Sequence, residues 1–173
     1  MSPKIKLGIS SCLLGNCVRY DGGHKYDSEL PGALVQEFEQ VPICPEAECG
    51  MTIPREPLCL EGTPENPRIV TVRTHVDHSV RMRAWATERI AEIEREKVCG
   101  YIFKSKSPSC GLRDVKIIGS SGVAGAGAGF FAAMFIRHFP MMPVEEENRL
   151  HDPTVMNDFI SRVRAYKRSL ELE

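Results

Sequence analysis

Short apolar segments alternate with helical segments along this chain, and that alternation limits the folds open to it. Apolar residues occupy every second position in residues 4–10, as in a half-buried β-strand. Residues 98–103 are mostly apolar and predict a central strand. Before them, residues 77–97 place apolar side chains on one face of a helix and charged ones on the others. Strands that alternate with helices predict an α/β fold with a mostly parallel sheet.

The remaining segments predict shorter elements. Short strands are expected over residues 41–44, 68–73, 115–118 and 142–144. Prolines and polar turns in residues 47–67 predict an ordered loop excursion. Residues 119–129 predict a glycine-rich loop that leads into an apolar helix, and this loop lacks the nucleotide-binding fingerprints. We expect it either to bind an anion or to provide close backbone approach or mobility.

Composition narrows the class of protein. A length of 173 residues suits a domain with its own core, and a net charge of -1 argues against a sequence-independent nucleic-acid binder. The apolar run 122–136 is too short to span a membrane, and the first residues lack the core of a signal peptide. We therefore expect a cytoplasmic protein with neither nucleic acid nor membrane as partner. An α/β domain over residues 1–150 is expected to precede an amphipathic C-terminal helix over residues 151–173, which could pack on that domain, on a partner copy or on a second domain.

Three cysteines follow the ends of predicted strands. The chain has seven cysteines, which in a reducing compartment favour metal, cluster or redox use over structural disulfides. Cys12, Cys44 and Cys110 each stand where an apolar run gives way to a turn. Ligands of open α/β sheets bind outside the carboxyl ends of the strands. We therefore expect these three thiols to converge at one edge of the sheet.

The spacing of the cysteines leaves three interpretations open. Three thiolates on a 4Fe–4S cluster would leave one iron open, and an open iron is a Lewis acid that can bind sulfur. Alternatively, the pairs Cys12/Cys17 and Cys44/Cys49 could form a tetrahedral zinc site. The alternative function is then a non-catalytic zinc or iron–sulfur binding module that docks a partner domain. In the third interpretation the thiols are simply buried or incidental.

Other polar residues are candidates for the same site. Glu46 follows Cys44 by two residues and could shuttle a proton, although a capping or surface role is an alternative. Ser107 and Ser109 could hydrogen-bond a substrate or simply form a turn. Residues 19–25 could orient a planar heterocycle or form a solvated loop.

Five segments together carry a resemblance to a known family. In chain order they are residues 11–15 (SCLLG), 18–25 (VRYDGGHK), 43–46 (ICPE), 50–57 (GMTIPREP) and 104–111 (KSKSPSCG). This combination resembles the thiouracil desulfidase (TudS) family, formerly a bacterial domain of unknown function. The resemblance runs from about residue 7 to about residue 150.

The resemblance implies a fold, a cofactor and a reaction. It implies a Rossmann-like, mostly parallel sheet with helices on both faces. It also implies an oxygen-sensitive 4Fe–4S cluster bound by Cys12, Cys44 and Cys110, which can be lost in an aerobic preparation. The open iron would take the sulfur of a thiolated pyrimidine such as 2-thiouracil. Water would replace that sulfur, giving uracil and sulfide by a non-redox hydrolysis of the carbon–sulfur bond.

The resemblance also assigns roles to single residues. Glu46 is implied as an acid–base group and Ser107 as a second catalytic residue. Substrate binding is expected from Arg19, Tyr20, Asp21, Lys25 and Ser109. Many relatives have a cysteine where this chain has Val18, and Cys49 is not a usual family position, so neither Cys17 nor Cys49 is assigned as a ligand. The protein could act as a homo-oligomer.

Overall fold

Two four-stranded sheets and five helices make up the protein in a computed structural model that describes residues 3–34 and 36–172. The strands are β1 (Ile5–Ser10), β2 (Phe38–Ile43), β3 (Leu58–Thr63), β4 (Asn66–Thr71), β5 (Tyr101–Phe103), β6 (Val115–Gly119), β7 (Gly122–Gly127) and β8 (Val144–Glu146). The helices are α1 (Glu29–Leu34), α2 (Pro45–Glu48), α3 (Ser79–Arg95), α4 (Phe130–His138) and α5 (Pro153–Leu170). A short 3₁₀ turn over Ser11–Leu14 follows β1. No helix within the described residues has the length and apolar character needed to cross a membrane.

Sheet A is parallel throughout and has the strand order β2-β1-β5-β8. In its register Ile5 pairs with Phe38 and Gly8 with Tyr101. Its two longest strands, β1 and β2, run side by side over their whole lengths, so they end at the same level of the sheet. This arrangement confirms the predicted α/β class with a mostly parallel sheet.

Helices cover both faces of sheet A, as predicted. Because side chains alternate along a strand, Tyr101 and Phe103 face one way and Ile102 the other. Tyr101 and Phe103 pack in one core cluster with buried residues of α3 and α4, such as Phe135. Ile102 packs in a second cluster with residues of α1 and α5, including Phe159. The C-terminal helix α5 therefore closes one face of sheet A.

Sheet B is the main difference from the expectations. It has the order β4-β3-β6-β7, with β3 and β6 parallel and the two outer pairs antiparallel. Part of the expected loop excursion over residues 47–67 is the hairpin strand β3, and the expected glycine-rich loop contains strand β7. Pro67 stands in the edge strand β4, where its missing N–H is tolerated. Strand β7 consists of Gly, Ala and one Val, so it shows no apolar alternation that a sequence pattern could reveal.

A histidine bridge ties the segment before α5 to the loop that precedes α1. His151 Nε2 lies 2.5 Å from Asp27 Oδ2, and this hydrogen bond is the main cause that raises the pKa of His151. Nearby Glu29 and Glu147 raise that pKa further. The bridge is partly exposed, so solvent screens it and its contribution to stability is small.

The raised histidine pKa predicts a pH-dependent part of the stability. A histidine whose pKa is raised by folding adds to the free energy of unfolding. This contribution is fully present below the unfolded pKa of about 6.5, and it is lost as the pH rises through the folded pKa. We expect the stability difference between wild type and His151→Gln to be larger at about pH 5.5 than at about pH 8.5. Urea unfolding at both pH values measures it, and a difference that grows with pH would contradict the assignment.

Candidate functional site

A cavity of about 440 Å³ opens where three strands of sheet A end. Cys12 lies in the turn after β1, Cys44 directly follows β2, and Cys110 lies in the polar turn after β5. All three cysteines line the cavity. The parallel register that ends β1 and β2 together thus brings residues that are far apart in sequence to one site.

Most of the predicted site residues line this cavity. The lining includes Cys12, Arg19, Tyr20, Lys25, Cys44, Glu46, Ser107, Ser109 and Cys110. Asp21 does not line it. The Asp21 carboxylate accepts a hydrogen bond from the backbone N–H of Gly23 at 2.9 Å, which lowers its pKa, and it pairs with Arg19 at 3.5 Å. Its place is therefore in the turn that shapes the loop rather than at the cavity wall.

Burial keeps the three thiols protonated when nothing binds them. Burial is the main cause that raises the pKa of each, to about 11 for Cys44 and further for the wholly enclosed Cys110. The three thiols also influence one another, because a charge on Cys44 or Cys12 raises the pKa of Cys110. Protonated thiols are poor nucleophiles, whereas metal binding converts them to thiolates. This environment suits ligands better than it suits a nucleophilic cysteine.

The turn that carries Cys110 is fixed by its own hydrogen bonds. Ser107 Oγ accepts from the backbone N–H of Cys110 at 3.0 Å and from that of Ser109 at 3.3 Å. Ser109 Oγ lies 3.1 Å from Ser107 Oγ and 3.7 Å from Cys110 Sγ. The two serines therefore form hydrogen bonds within the turn and also line the cavity. Turn formation does not prevent them from hydrogen-bonding a substrate.

Gly129 lets the start of α4 pack directly on this turn. A Cβ at position 129 would lie 2.6 Å from the carbonyl carbon of Ser109, so only glycine fits there. The backbone N–H groups of Phe130 and Phe131 donate to the carbonyls of Pro108 and Ser109 at 2.8 and 3.0 Å. Of the two uses expected for the glycine-rich segment, the structure has the close backbone approach at this position.

Glu46 is held at the cavity wall by two partners. Its Oε2 accepts from Arg55 Nε at 2.9 Å and Nη2 at 2.7 Å, while its Oε1 accepts from Ser109 Oγ at 3.0 Å. Both members of the pair are largely buried, with side chains 6% (Arg55) and 13% (Glu46) exposed. Such a charge-assisted, two-nitrogen contact fixes the orientation of a carboxylate.

Arg55 is a site residue that the sequence analysis missed. Besides holding Glu46, its Nη2 donates to the carbonyl of Val18, and its backbone N–H donates to the carbonyl of Tyr20, both at 2.7 Å. Arg55 thus ties the loop that carries Arg19 and Tyr20 to the carboxylate. The available signal was its position within the segment 50–57, one of the five segments that carry the family resemblance.

Lys104 and Ser105 also line the cavity and were not predicted. Both contact the buried carboxylate of Glu147. The signal in the sequence was the run of three glutamates, residues 145–147, directly after an expected strand. Carboxylates rarely lie in a core unless they are paired, so such a run at a strand end indicates partners elsewhere in the chain.

The four-cysteine zinc arrangement does not form. Cys17 is exposed and Cys49 lies away from the cavity lining, where its thiol donates to the carbonyl of Glu46 at 3.3 Å. Across residues 3–34 and 36–172, no group of three or more His, Cys, Asp or Glu side chains is placed to hold one metal ion. Ligands of a multi-iron cluster bind different irons, so they need not meet around a single point.

A family model and a solved structure agree on one family. The sequence model of the family described as 2-thiouracil desulfurase matches residues 7–147. The uncharacterized protein YbbK of Bacillus subtilis (strain 168) is 33% identical over 150 residues, covering 83% of this chain and 97% of that protein. The solved structure of the 4Fe-4S-dependent thiouracil desulfidase TudS is 30% identical, with a TM-score of 0.67, over 90% of this chain and 99% of that chain. The family match includes every residue that lines the cavity.

Proposed function

The chain belongs to the 2-thiouracil desulfurase family, and on that premise we propose that it is an iron–sulfur enzyme that removes sulfur from a thiolated pyrimidine such as 2-thiouracil. The observation that carries the proposal is the convergence of Cys12, Cys44, Cys110 and Glu46 on one cavity. Three soft donors and one fixed carboxylate are the groups that this reaction needs.

The donor set fits an iron–sulfur cluster. Thiolates are the ligands that such clusters take, and hydrogen bonds to sulfur tune them. Here the backbone N–H of Ala47 hydrogen-bonds Cys44 and lowers its pKa, and Ser109 Oγ lies 3.7 Å from Cys110 Sγ. When bound by Cys12, Cys44 and Cys110, a four-iron cluster would supply one iron free of protein ligands, a Lewis acid for the sulfur of the substrate.

Glu46 is the proposed acid–base group. Arg55 holds its Oε2, so its Oε1 keeps a defined direction beside Ser109. A carboxylate placed in this way can take a proton from the attacking water and return a proton to the leaving sulfur. The carbon–oxygen bond forms and the carbon–sulfur bond breaks, so that 2-thiouracil and water give uracil and hydrogen sulfide without a change in oxidation state.

The cavity wall supplies the groups that would orient the heterocycle. Ser107 and Ser109 line the cavity with Cys110 and their hydroxyl oxygens lie 3.1 Å apart, and we propose that Ser107 positions the substrate or relays a proton. Arg19, Tyr20 and Lys25 come from the loop that Arg55 fastens, and they would bind the polar edge of the ring. Ordering this loop before the substrate arrives reduces the entropy lost on binding.

Anaerobic reconstitution tests the proposal directly. Wild-type protein treated with ferrous iron and sulfide is expected to bind both and then to release sulfide from 2-thiouracil, with uracil formed in equal amount. Uracil as substrate is the matched control, because it offers the same ring without the sulfur. Reconstituted protein that carries a cluster but leaves thiolated pyrimidines intact would contradict the proposed reaction.

A further inference from the structure

Three consecutive carboxylates at the end of β8 are buried. Glu145, Glu146 and Glu147 are only 5%, 5% and 6% exposed. Burying a carboxylate is costly unless hydrogen bonds and opposite charges compensate it. Neither the proposed reaction nor the cluster ligands use these residues, so their partners show what they do.

Glu146 and Glu147 fasten the two ends of the segment that carries Cys110. Glu147 Oε2 accepts from the backbone N–H of Ser105 at 2.6 Å, before the cysteine turn. Glu146 Oε1 accepts from the backbone N–H groups of Leu112 and Arg113 at 2.7 and 3.0 Å, after it. One strand end thus holds the whole segment 104–113 in place.

Glu147 has a second partner, the side chain of Lys104. Lys104 Nζ donates to Glu147 Oε1 at 2.7 Å and to the carbonyl of Ser105 at 2.8 Å. Ser105 Oγ donates to the same Glu147 oxygen at 2.7 Å. At its other end the backbone N–H of Lys104 donates to Ser10 Oγ at 2.9 Å. A lysine side chain has four rotatable bonds, so these contacts select one of many positions for its ammonium group.

The selected position holds the Lys104 ammonium group against Ser105, and both residues line the cavity. Lys104 lines the cavity together with Cys12. Its carboxylate partner Glu147 does not line the cavity, so the lysine is the member of this ion pair that borders the site. The charge that the site meets there is therefore the positive one.

We propose that Glu147 is a positioning residue that holds the Lys104 ammonium at the wall of the cavity that Cys12 lines, where its positive charge offsets the negative charge of the sulfur ligands. The inference rests on the proposed function, since it assigns Cys12 to an iron–sulfur cluster. A fixed positive charge beside a thiolate ligand draws electron density from the metal that the thiolate binds. It therefore favours both the reduced cluster and the binding of an electron-rich substrate atom.

The midpoint reduction potential of the reconstituted cluster tests this role without relying on turnover. Lys104→Met removes the charge and is expected to lower the potential, whereas Lys104→Arg keeps the charge and is expected to stay closer to wild type. Lys116→Met is the matched control, because Lys116 is exposed on sheet B and its loss changes the net charge equally. We expect this control to leave the potential unchanged.

A double-mutant cycle tests the positioning by Glu147. In a Glu147→Gln background the ion pair is lost and the ammonium group is held less firmly, so Lys104→Met is expected to shift the potential less than in wild type. Equal shifts in both backgrounds would refute the positioning role. If Glu147→Gln does not fold, Ser105→Ala decides, since it loosens the same group without removing a charge. It is expected to lower the potential by less than Lys104→Met, and an unchanged potential would refute the role.

The outcomes separate this inference from the proposed function. A wild-type chain that binds no cluster under anaerobic reconstitution refutes both. A wild-type cluster whose potential is the same in Lys104→Met refutes the inference alone.

Discussion

Replacing Cys110 by alanine is expected to abolish retention of an iron–sulfur cluster, whereas replacing Cys49 by alanine is expected to leave it intact. Cys110 lines the cavity with Cys12 and Cys44, while Cys49 lies outside its lining. Removing one of three thiolates leaves a cluster with two ligands on this site, and ligand loss of this kind usually costs the metal. Iron and acid-labile sulfide per chain, measured after anaerobic reconstitution and desalting, quantify the loss.

The same experiment discriminates between ligand sets. Cys110 is buried in the core, so thermal unfolding must first show that Cys110→Ala is folded. Removal of one sulfur from a packed core costs about 1–3 kcal/mol, which most folded domains survive. If Cys110→Ala kept its iron and sulfide, the proposed ligand set would be wrong. If Cys17→Ala or Cys49→Ala instead lost tightly bound zinc, the chain would be a zinc module of the docking kind.

Replacing Glu46 by glutamine is expected to lower the turnover of 2-thiouracil by about 10²–10⁴-fold while the cluster content stays at the wild-type level. Glutamine has the shape of glutamate and can keep the hydrogen bond to Ser109, but it cannot accept a proton at neutral pH. Sulfide release under saturating substrate, divided by iron per chain, gives the effect on chemistry alone.

Glu56→Gln is the matched control for Glu46→Gln. Its carboxylate is bound by the backbone N–H and the hydroxyl of Thr74, outside the cavity lining. The Glu56→Gln variant therefore loses the same charge as Glu46→Gln without a change in the cavity lining, and near wild-type turnover is expected. A Glu46→Gln protein that turned over as fast as the control would remove Glu46 from the reaction.

The parts of the fold that could be predicted are those in which the sequence pattern is set by burial. Strand β5 is buried at every position and lies in a continuous apolar run, and helix α3 buries one regularly spaced apolar face, so both were expected at nearly these positions. The convergence of the three cysteines followed from one rule about parallel sheets. Strands β3 and β7 were not predicted, because the proline, glycine and alanine residues in and around them give almost no alternation of apolar and polar side chains.

The unpredicted site residues share one physical property. Arg55 and Glu147 act through partners that are far away in sequence: Arg55 bonds Val18, 37 positions away, and Glu147 bonds Lys104, 43 positions away. A charged residue gives no periodic signal, and its partner is set by the tertiary fold alone. Composition and spacing can therefore indicate which residues bind a metal. They cannot indicate which residues hold other side chains of the site in position.

The shared hydrogen bonds between the cysteine turn and α4 provide a way to observe the site from outside. The amide hydrogens of Phe130, Phe131 and Ala132 are bound by carbonyls of Pro108 and Ser109, so they can exchange with deuterated solvent only when the turn separates from the helix. Their exchange rates report how often the Cys110 turn opens. These three amides are thus a built-in reporter of the order of the turn, readable by mass spectrometry or NMR whether or not a metal is present.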